Sequence, residues 1–403
     1  MKSTNSIVDL SANLDNNIEA IRADTPACKS LIHFNNAGAS LMPLPVQKAI
    51  NNHLELEATI GGYEAEYKAK NDMQAFYYEF ARLLNASSDE IAYVENATRA
   101  WDMAFYGLPL KDGDRILTHA SEYVSNYLAL LQQAERRNLH IDLIPSDSHG
   151  QIDVSAIGEL VTDRTRLIAI THVPTQGGLV NPAAEIGRVA KEHNLIYMID
   201  ACQSAGQIVL DVEAIQCDVL TGTGRKFLRG PRGTGFLYIR KEFLSELDPP
   251  FVDLHSAKWT RDDDFDFDPT TKRFENWESY VAGRIGLMQA VRYANTIGVE
   301  QIETRVTKLA HLLRDQLSTI KGVELHDLGQ QKCGIVTFTK KGCQANAMAS
   351  QLRTLGMNVS VSVLSSARLD FGQRGLESTT RASVHYYNTQ DEIARFVQAI
   401  DSL

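Results

Sequence analysis

Short blocks of consecutive apolar residues recur along the first two thirds of the chain. Between them lie stretches with apolar residues every three or four positions. "DEIAYVE", "DRILTHA", "RLIAITHV", "LIYMIDA" and "DVLTGT" are blocks of the first kind, the pattern expected of strands, including strands buried on both faces. "ATRAWDMAFYGL", "VSNYLALLQQAERRN" and "AAEIGRVAKEHN" have helical spacing. From "LIHFNNAGAS" to about residue 260 the alternation predicts βα units and a doubly wound, mainly parallel sheet. Ligands bind such sheets beyond the C-terminal ends of the strands. The pattern breaks at "TRDDDFDFDPTTKRFENWESY", which is acidic, aromatic and aperiodic, and predicts a long loop. Helices over "GRIGLMQAVRYANTIG" and "VEQIETRVTKLAHLLRDQLSTI" follow, then an α+β tail with strands at "GIVTFTK" and "TRASVHY". The expected division is an arm or helix over residues 1–30 packing with a small domain, a large α/β domain over 31–262, and an interface loop with the small α+β domain over 263–403.

Composition narrows the function classes. At 403 residues the chain exceeds one simple core. A net charge of −10 argues against general binding to nucleic acid or an anionic membrane, so any anion site must be local. The N-terminus lacks a signal-peptide core, and no apolar run reaches the ~18 residues of a membrane span. Five widely spaced cysteines with no CxxC argue against a disulfide framework or a structural zinc site, so no metal is expected and the expected compartment is the cytoplasm.

One lysine stands out. In "LTGTGRKFLRGPRGTGFLYI" Lys226 sits between two glycine clusters. It does not complete a phosphate-binding P-loop, because Arg225 precedes it and Phe227 follows where a glycine and a hydroxyl are needed. It does not complete a dinucleotide fingerprint, because Phe227 occupies the third glycine position. A Schiff-base lysine remains, competing with a plain lysine in a surface turn. A nucleophilic amine must be deprotonated near neutral pH, which desolvation or a neighbouring cation such as Arg225 favours.

Two further features bear on that choice. Asp200 ends the apolar run of "LIYMIDACQSAGQ", with Gln203 three residues on. A buried carboxylate needs a cation or a protonated heterocycle beside it, and an acid facing a pyridinium nitrogen recurs in pyridoxal phosphate sites. A helix cap is the alternative use of such an aspartate. In "ENATRAWDMAFYGL" a strand-to-helix turn would present free N–H groups to an anion. Thr98 there could bind phosphate or merely cap the helix.

Taken together, "FNNAGAS", "THVPTQGGLVNP", "IDACQSAGQ", "GTGRKFLRGPRGTGFLYI", "RFENWESY" and "TRASVHYYNT" resemble the class V aminotransferase superfamily of pyridoxal-phosphate enzymes, from about residue 31 to the end. The resemblance implies a fold-type I enzyme, a homodimer with shared active sites and a small amino-acid substrate. It implies that Lys226 carries the coenzyme as an internal aldimine and shuttles a proton. Asp200 would pair with the pyridine nitrogen, and Gln203 with the phenolic oxygen. Tyr123 would stack on the ring where the family usually has histidine. Ala97, Thr98, Thr223 and Arg225 would hold the phosphate, while Asn276 and Trp277 would reach the partner's cofactor. Arg381, with Thr175 and Asn36, would face the substrate, the arginine clamping its α-carboxylate.

A desulfurase of this superfamily needs a nucleophilic cysteine on a loop upstream of that arginine. "GMNVSVSVLSSARLDFGQRGLES" holds serines there, and Cys343 lies earlier. The expectation is therefore that the chain is not a persulfide-forming cysteine desulfurase. The motifs look most like the isopenicillin N epimerase-like and ergothioneine-pathway C–S lyase branch. The first expectation is β-elimination from a cysteine S-conjugate or sulfoxide to pyruvate and ammonia. Class V aminotransfer comes second, and racemisation or epimerisation third, with Tyr123 and His172 as candidates for a second acid–base group. A scaffold that merely kept the fold is opposed by Lys226, Asp200, Gln203 and Arg381.

Overall fold

The computed structural model describes Leu14 and residues 17–403, so most of the first half of the expected N-terminal arm lies outside the described residues. Helix α1 (Ile18–Ala23) and the short strand β1 (Ile32–His33) lead into α2 (Leu44–Ile60), α3 (Gly62–Lys68) and α4 (Lys70–Leu84). The apolar blocks then alternate with helices. β2 (Ile91–Val94), α5 (Ala97–Tyr106), β3 (Arg115–His119) and α6 (Val124–Arg137) come first. Next are β4 (His140–Ile144), α7 (Val154–Leu160), β5 (Thr165–Thr171) and α8 (Ala183–Glu192). β6 (Ile196–Asp200), α9 (Val212–Ile215), β7 (Val219–Thr223) and β8 (Gly235–Ile239) complete the series.

Seven of these strands form one sheet in the order β2-β8-β7-β6-β5-β3-β4. Only β8 runs against the others, antiparallel to both β2 and β7. The mainly parallel doubly wound sheet expected from the apolar blocks is therefore present. The block pattern missed two strands of this sheet, β8, whose apolar "GFLYI" reads in the sequence only as a flank of the lysine turn, and β4. Strand β4 lies at the sheet edge with only Ile144 fully buried, so "HIDLI" needs no continuous apolar run. The sheet is covered on one side by α4, whose Phe76, Phe80 and Leu84 are fully buried. The Phe80 ring meets Phe236 of β8 with centroids 4.5 Å apart.

The expected long loop contains a hairpin instead. β9 (Ala257–Arg261) pairs antiparallel with β10 (Asp264–Phe267), and a 3-10 turn (Thr271–Phe274) follows. "DFDF" alternates with the period of a strand, but the hairpin is largely exposed and so offers no apolar block. After it, α10 (Val281–Ile297) buries Ile285, Leu287, Met288 and Val291 in the core shared with the large sheet. Helix α11 (Val299–Ser318) then leads to a second sheet.

That sheet has four strands in the order β11-β12-β15-β14: β11 (Val323–Leu325), β12 (Ile335–Lys340), β15 (Ser378–Ser383) and β14 (Ser360–Val363). Helices α12 (Ala345–Thr354) and α14 (Gln390–Ser402) pack on it with α11, around Phe338, Leu352 and Phe396. Between them run β13 (Met357–Asn358), which pairs with β1, and α13 (Arg368–Arg374). The strand expected at "TRASVHY" ends at Ser383, because His385 N donates to Asn388 Oδ1 in a turn.

Register aligns the chemistry. Thr171, Asp200 and Thr221 face one another across β5, β6 and β7. The residues that follow those strands therefore gather at one edge of the sheet. Gly206 lets two of these segments touch. It has φ +92°, and a Cβ there would lie 2.5–2.7 Å from the Phe227 carbonyl and Leu228 N. Gly206→Ala should lower stability by about 1–3 kcal/mol through backbone strain alone, read as a fall in the midpoint of thermal unfolding. An unchanged midpoint would show that the two segments do not press on each other.

Candidate active site

The lysine turn explains the glycines around it. Arg229 N donates to the Lys226 carbonyl at 3.0 Å, and Gly230 N donates to the Gly224 carbonyl at 2.7 Å. Arg229 takes the left-handed conformation at φ +60°. Its guanidinium is buried between the Tyr386 and Tyr387 rings and donates to Thr25 Oγ1, the Leu41 carbonyl and Tyr386 Oη. The turn is thus bolted to both ends of the chain.

Lys226 is not a surface lysine: it is 6% exposed. Its Nζ lies 5.8 Å from the centre of the Tyr123 ring. Burial holds its pKa below the ordinary lysine value. Cys202 and Asp200 oppose that shift, while Arg225 and Arg381 add to it. The direction is the one a nucleophilic amine requires.

Asp200 is buried at the end of β6. Its Oδ1 accepts from Cys202 N at 2.8 Å, and its Oδ2 from Asn126 Nδ2 at 2.9 Å. It therefore caps its own turn and still presents a carboxylate at the sheet edge. Gln203 donates through Nε2 to Thr175 Oγ1 at 2.8 Å and to the Ala37 carbonyl at 3.1 Å. Arg381, on β15 of the second sheet, donates through Nη1 to Thr175 Oγ1 at 2.7 Å and to the Thr175 carbonyl at 2.8 Å. Thr175 thus joins Gln203 and Arg381. Burial first, and then the like charge of Arg225, pull the Arg381 pKa down to about 10.

Other expected residues lie elsewhere or are committed. The Asn36 amide donates to the His33 and Ser383 carbonyls and accepts from Tyr387 Oη, so its polar atoms are used internally. Asn96, not Thr98, caps α5, accepting from Arg99 N at 2.9 Å. Ala97 and Thr98 stand in the first turn, where helical N–H groups lack intrahelical acceptors. Thr223 donates to the Thr234 carbonyl, and Arg225 to the Gly38 carbonyl. Asn276 bonds Glu95, and the backbone N of the half-exposed Trp277 bonds Asp253, in a cleft lined also by Tyr63 and Tyr280. His172 is buried, which pushes its pKa down to about 4.

Sequence reasoning missed three residues behind this edge. Glu122, Asn126 and Thr171 form a buried hydrogen-bonded group against Asp200. The i, i+4 spacing of Glu122 and Asn126 in "SEYVSN" was the available signal.

The buried polar atoms left without partners test the fit to pyridoxal phosphate. Gln203 Oε1 and Arg381 Nε are both buried and unpartnered. Such atoms are costly unless a ligand completes them. They lie with an amine, an acid and a helix N-terminus at one strand edge, so the residues present suit an aldehyde-bearing, phosphorylated pyridine and an amino-acid carboxylate.

This fold and site define a fold-type I pyridoxal-phosphate enzyme. The family model for aminotransferase class V matches residues 32–396, and the chain belongs to that family, whose cofactor is pyridoxal phosphate. A probable cysteine desulfurase of Methanothermobacter thermautotrophicus is 30% identical, over 96% of this chain and 98% of that one. Another probable cysteine desulfurase, from Xylella fastidiosa, is 34% identical over 95% and 94%. The apo structure of a cysteine desulfurase from Thermococcus onnurineus NA1 superposes with a TM-score of 0.88 at 27% identity, covering 95% of this chain and 97% of that one.

These relatives overturn the expectation of a C–S lyase, aminotransferase or epimerase that is not a persulfide-forming desulfurase. They are named cysteine desulfurases, and the likeness spans nearly the whole chain. The expectation leaned on the side chains of one segment, residues 356–378, whereas the relatives match through both sheets. The isopenicillin N epimerase-like branch is likewise not the one these relatives represent.

Borohydride treatment of the coenzyme-loaded protein should fix one coenzyme per chain on the peptide containing Lys226, and none in Lys226→Ala. Peptide mass spectrometry reads the result. Label on another lysine would refute the assignment.

Proposed function

We propose that the chain is a pyridoxal-phosphate-dependent cysteine desulfurase. The observation that carries this reading is the buried amine of Lys226 beside Asp200, Gln203 and Arg381, in a chain whose relatives bear that name. In the net reaction the C–S bond of cysteine breaks and its carbon gains a hydrogen, leaving alanine. The sulfur forms a new S–S bond on an acceptor thiol, giving a persulfide. The acceptor is defined here only as a thiol, on the chain or external.

The coenzyme, when bound, supplies the electron sink. The chain's own residues do the rest. Lys226 Nζ, whose pKa burial lowers, would take and return the proton at Cα. Arg381, anchored by Thr175 through Nη1, offers its free Nε edge to the α-carboxylate and fixes the substrate's orientation. Asp200 would face the pyridine nitrogen and favour its protonated form, and the unpartnered Gln203 Oε1 would meet a polar group of the ring. The first turn of α5 would hold the phosphate, with Thr223 and Arg225 contributing the polar atoms that their bonds to the Thr234 and Gly38 carbonyls leave free.

Two copies would pair through the cleft that holds Asn276 and Trp277. The exposed Tyr63, Tyr67, Trp277 and Tyr280 support this pairing. Five unpaired cysteines favour a reducing, cytoplasmic setting. Among the described residues, no helix is long and apolar enough to cross a membrane.

L-cysteine with a reducing thiol should yield alanine and sulfide in equal amounts, with none from Lys226→Ala. Arg381→Gln should lower kcat/KM about 10–100-fold, matching the loss of a charged hydrogen bond of ~1.5–3 kcal/mol. Pyruvate and ammonia in place of alanine, or cysteine left unchanged, would sink the reading.

A further inference from the structure

Behind the strand edge, one carboxyl reaches both sides of the coenzyme site. Glu122 is 5% exposed and stands in the turn between β3 and α6. Its Oε1 accepts three hydrogen bonds: from Tyr123 N at 2.9 Å, from Asn126 Nδ2 at 2.9 Å and from Thr171 Oγ1. Its Oε2 lies 3.4 Å from Thr118 Oγ1. Asn126 Nδ2 also donates to Asp200 Oδ2 at 2.9 Å. The two hydrogens of a single amide nitrogen are thereby divided between two buried acids. Thr171 Oγ1 closes the circuit by accepting from Tyr123 N at 3.0 Å.

The arrangement costs more than a packing role requires. Two carboxyl groups are buried within reach of one amide, and burial pushes the Glu122 pKa up to about 7, with Asp200 adding to the rise. A hydrophobic residue of similar volume would fill the space without that cost. What it could not do is accept from Tyr123 N and Asn126 Nδ2 together. Those two groups lead to the residue beside Lys226 and to the acid at the end of β6.

We propose that Glu122 is the positioning residue of the coenzyme site. It holds Tyr123 by its backbone and, through the Asn126 amide, holds Asp200, so one buried group sets the spacing between ring face and ring nitrogen. This rests on the reading of Tyr123 and Asp200 as coenzyme ligands, not on cysteine as the substrate.

The test uses the full-length protein and pyridoxal phosphate without substrate, so a failure of the cysteine reading leaves it intact. Coenzyme affinity is measured by titration, and ring orientation by visible circular dichroism of the lysine-bound coenzyme. Glu122→Ala should weaken affinity roughly 10–100-fold, the loss typical of removing an outer-shell partner, and should change the visible dichroism. Glu122→Gln keeps a carbonyl oxygen for the same three donors and should recover most of both. Asn126→Ala removes the amide that joins Glu122 to Asp200 and should change the dichroism, while the Glu122 contact to Tyr123 N stays. Wild-type affinity and dichroism in folded Glu122→Ala would overturn the proposal. So would equal losses in Glu122→Ala and Glu122→Gln with wild-type behaviour in Asn126→Ala. If Glu122→Ala does not fold, Asn126→Ala decides, and wild-type dichroism there rejects the proposal.

Discussion

A primary amine out of water is the constraint on which the rest of this molecule depends. An ammonium group inside a protein must be paired, or must give up its proton. At Lys226 the surroundings push both ways, with Asp200 and Cys202 on one side and Arg225 and Arg381 on the other. Burial is the largest influence and decides the direction. The close turn from Lys226 to Arg229, the glycine at 206 and the buried guanidinium of Arg229 all keep the amine where water is scarce.

The second constraint is register. Thr171, Asp200 and Thr221 align across three parallel strands, so residues far apart in sequence arrive together without a long loop. Glycines and helix starts follow the strands at that edge, which is where parallel sheets leave space for ligands. The large sheet supplies the amine, the acid and the N-terminal turn of α5. The smaller sheet contributes one arginine, presented on a strand between two others.

How much of this was legible in the chain follows from the physics of each element. Buried strands such as "RLIAIT" and "LIYMID" announce themselves, because both faces must be apolar. The hairpin at Ala257–Phe267 does not, since exposed strands carry no such demand. The edge strand at His140–Ile144 was silent for the same reason. Lys226 and Asp200 could be picked out because their motifs place charge against apolar runs, whereas Arg381 and the role of Gln203 came only from the resemblance to class V aminotransferases. Asn36 could not be judged from its motif: only the fold shows its amide spent on two carbonyls and a tyrosine hydroxyl. Glu122 escaped notice because its part in the site depends on Thr171 of β5 and, through Asn126, on Asp200 of β6, both distant in sequence. The serines of residues 360–366 misled for the opposite reason, by giving one segment more weight than the whole chain.

Thr175 has a consequence of its own. It stands on the large lobe, yet it grips an arginine that belongs to the small one. A carboxylate resting on the open edge of that arginine, and tethered at its other end near Lys226, would act as a keystone between the lobes. Such a ligand would add a further tie to a joint that the Gly178–Cys333 and Gln207–Gly334 hydrogen bonds already hold beside Thr175.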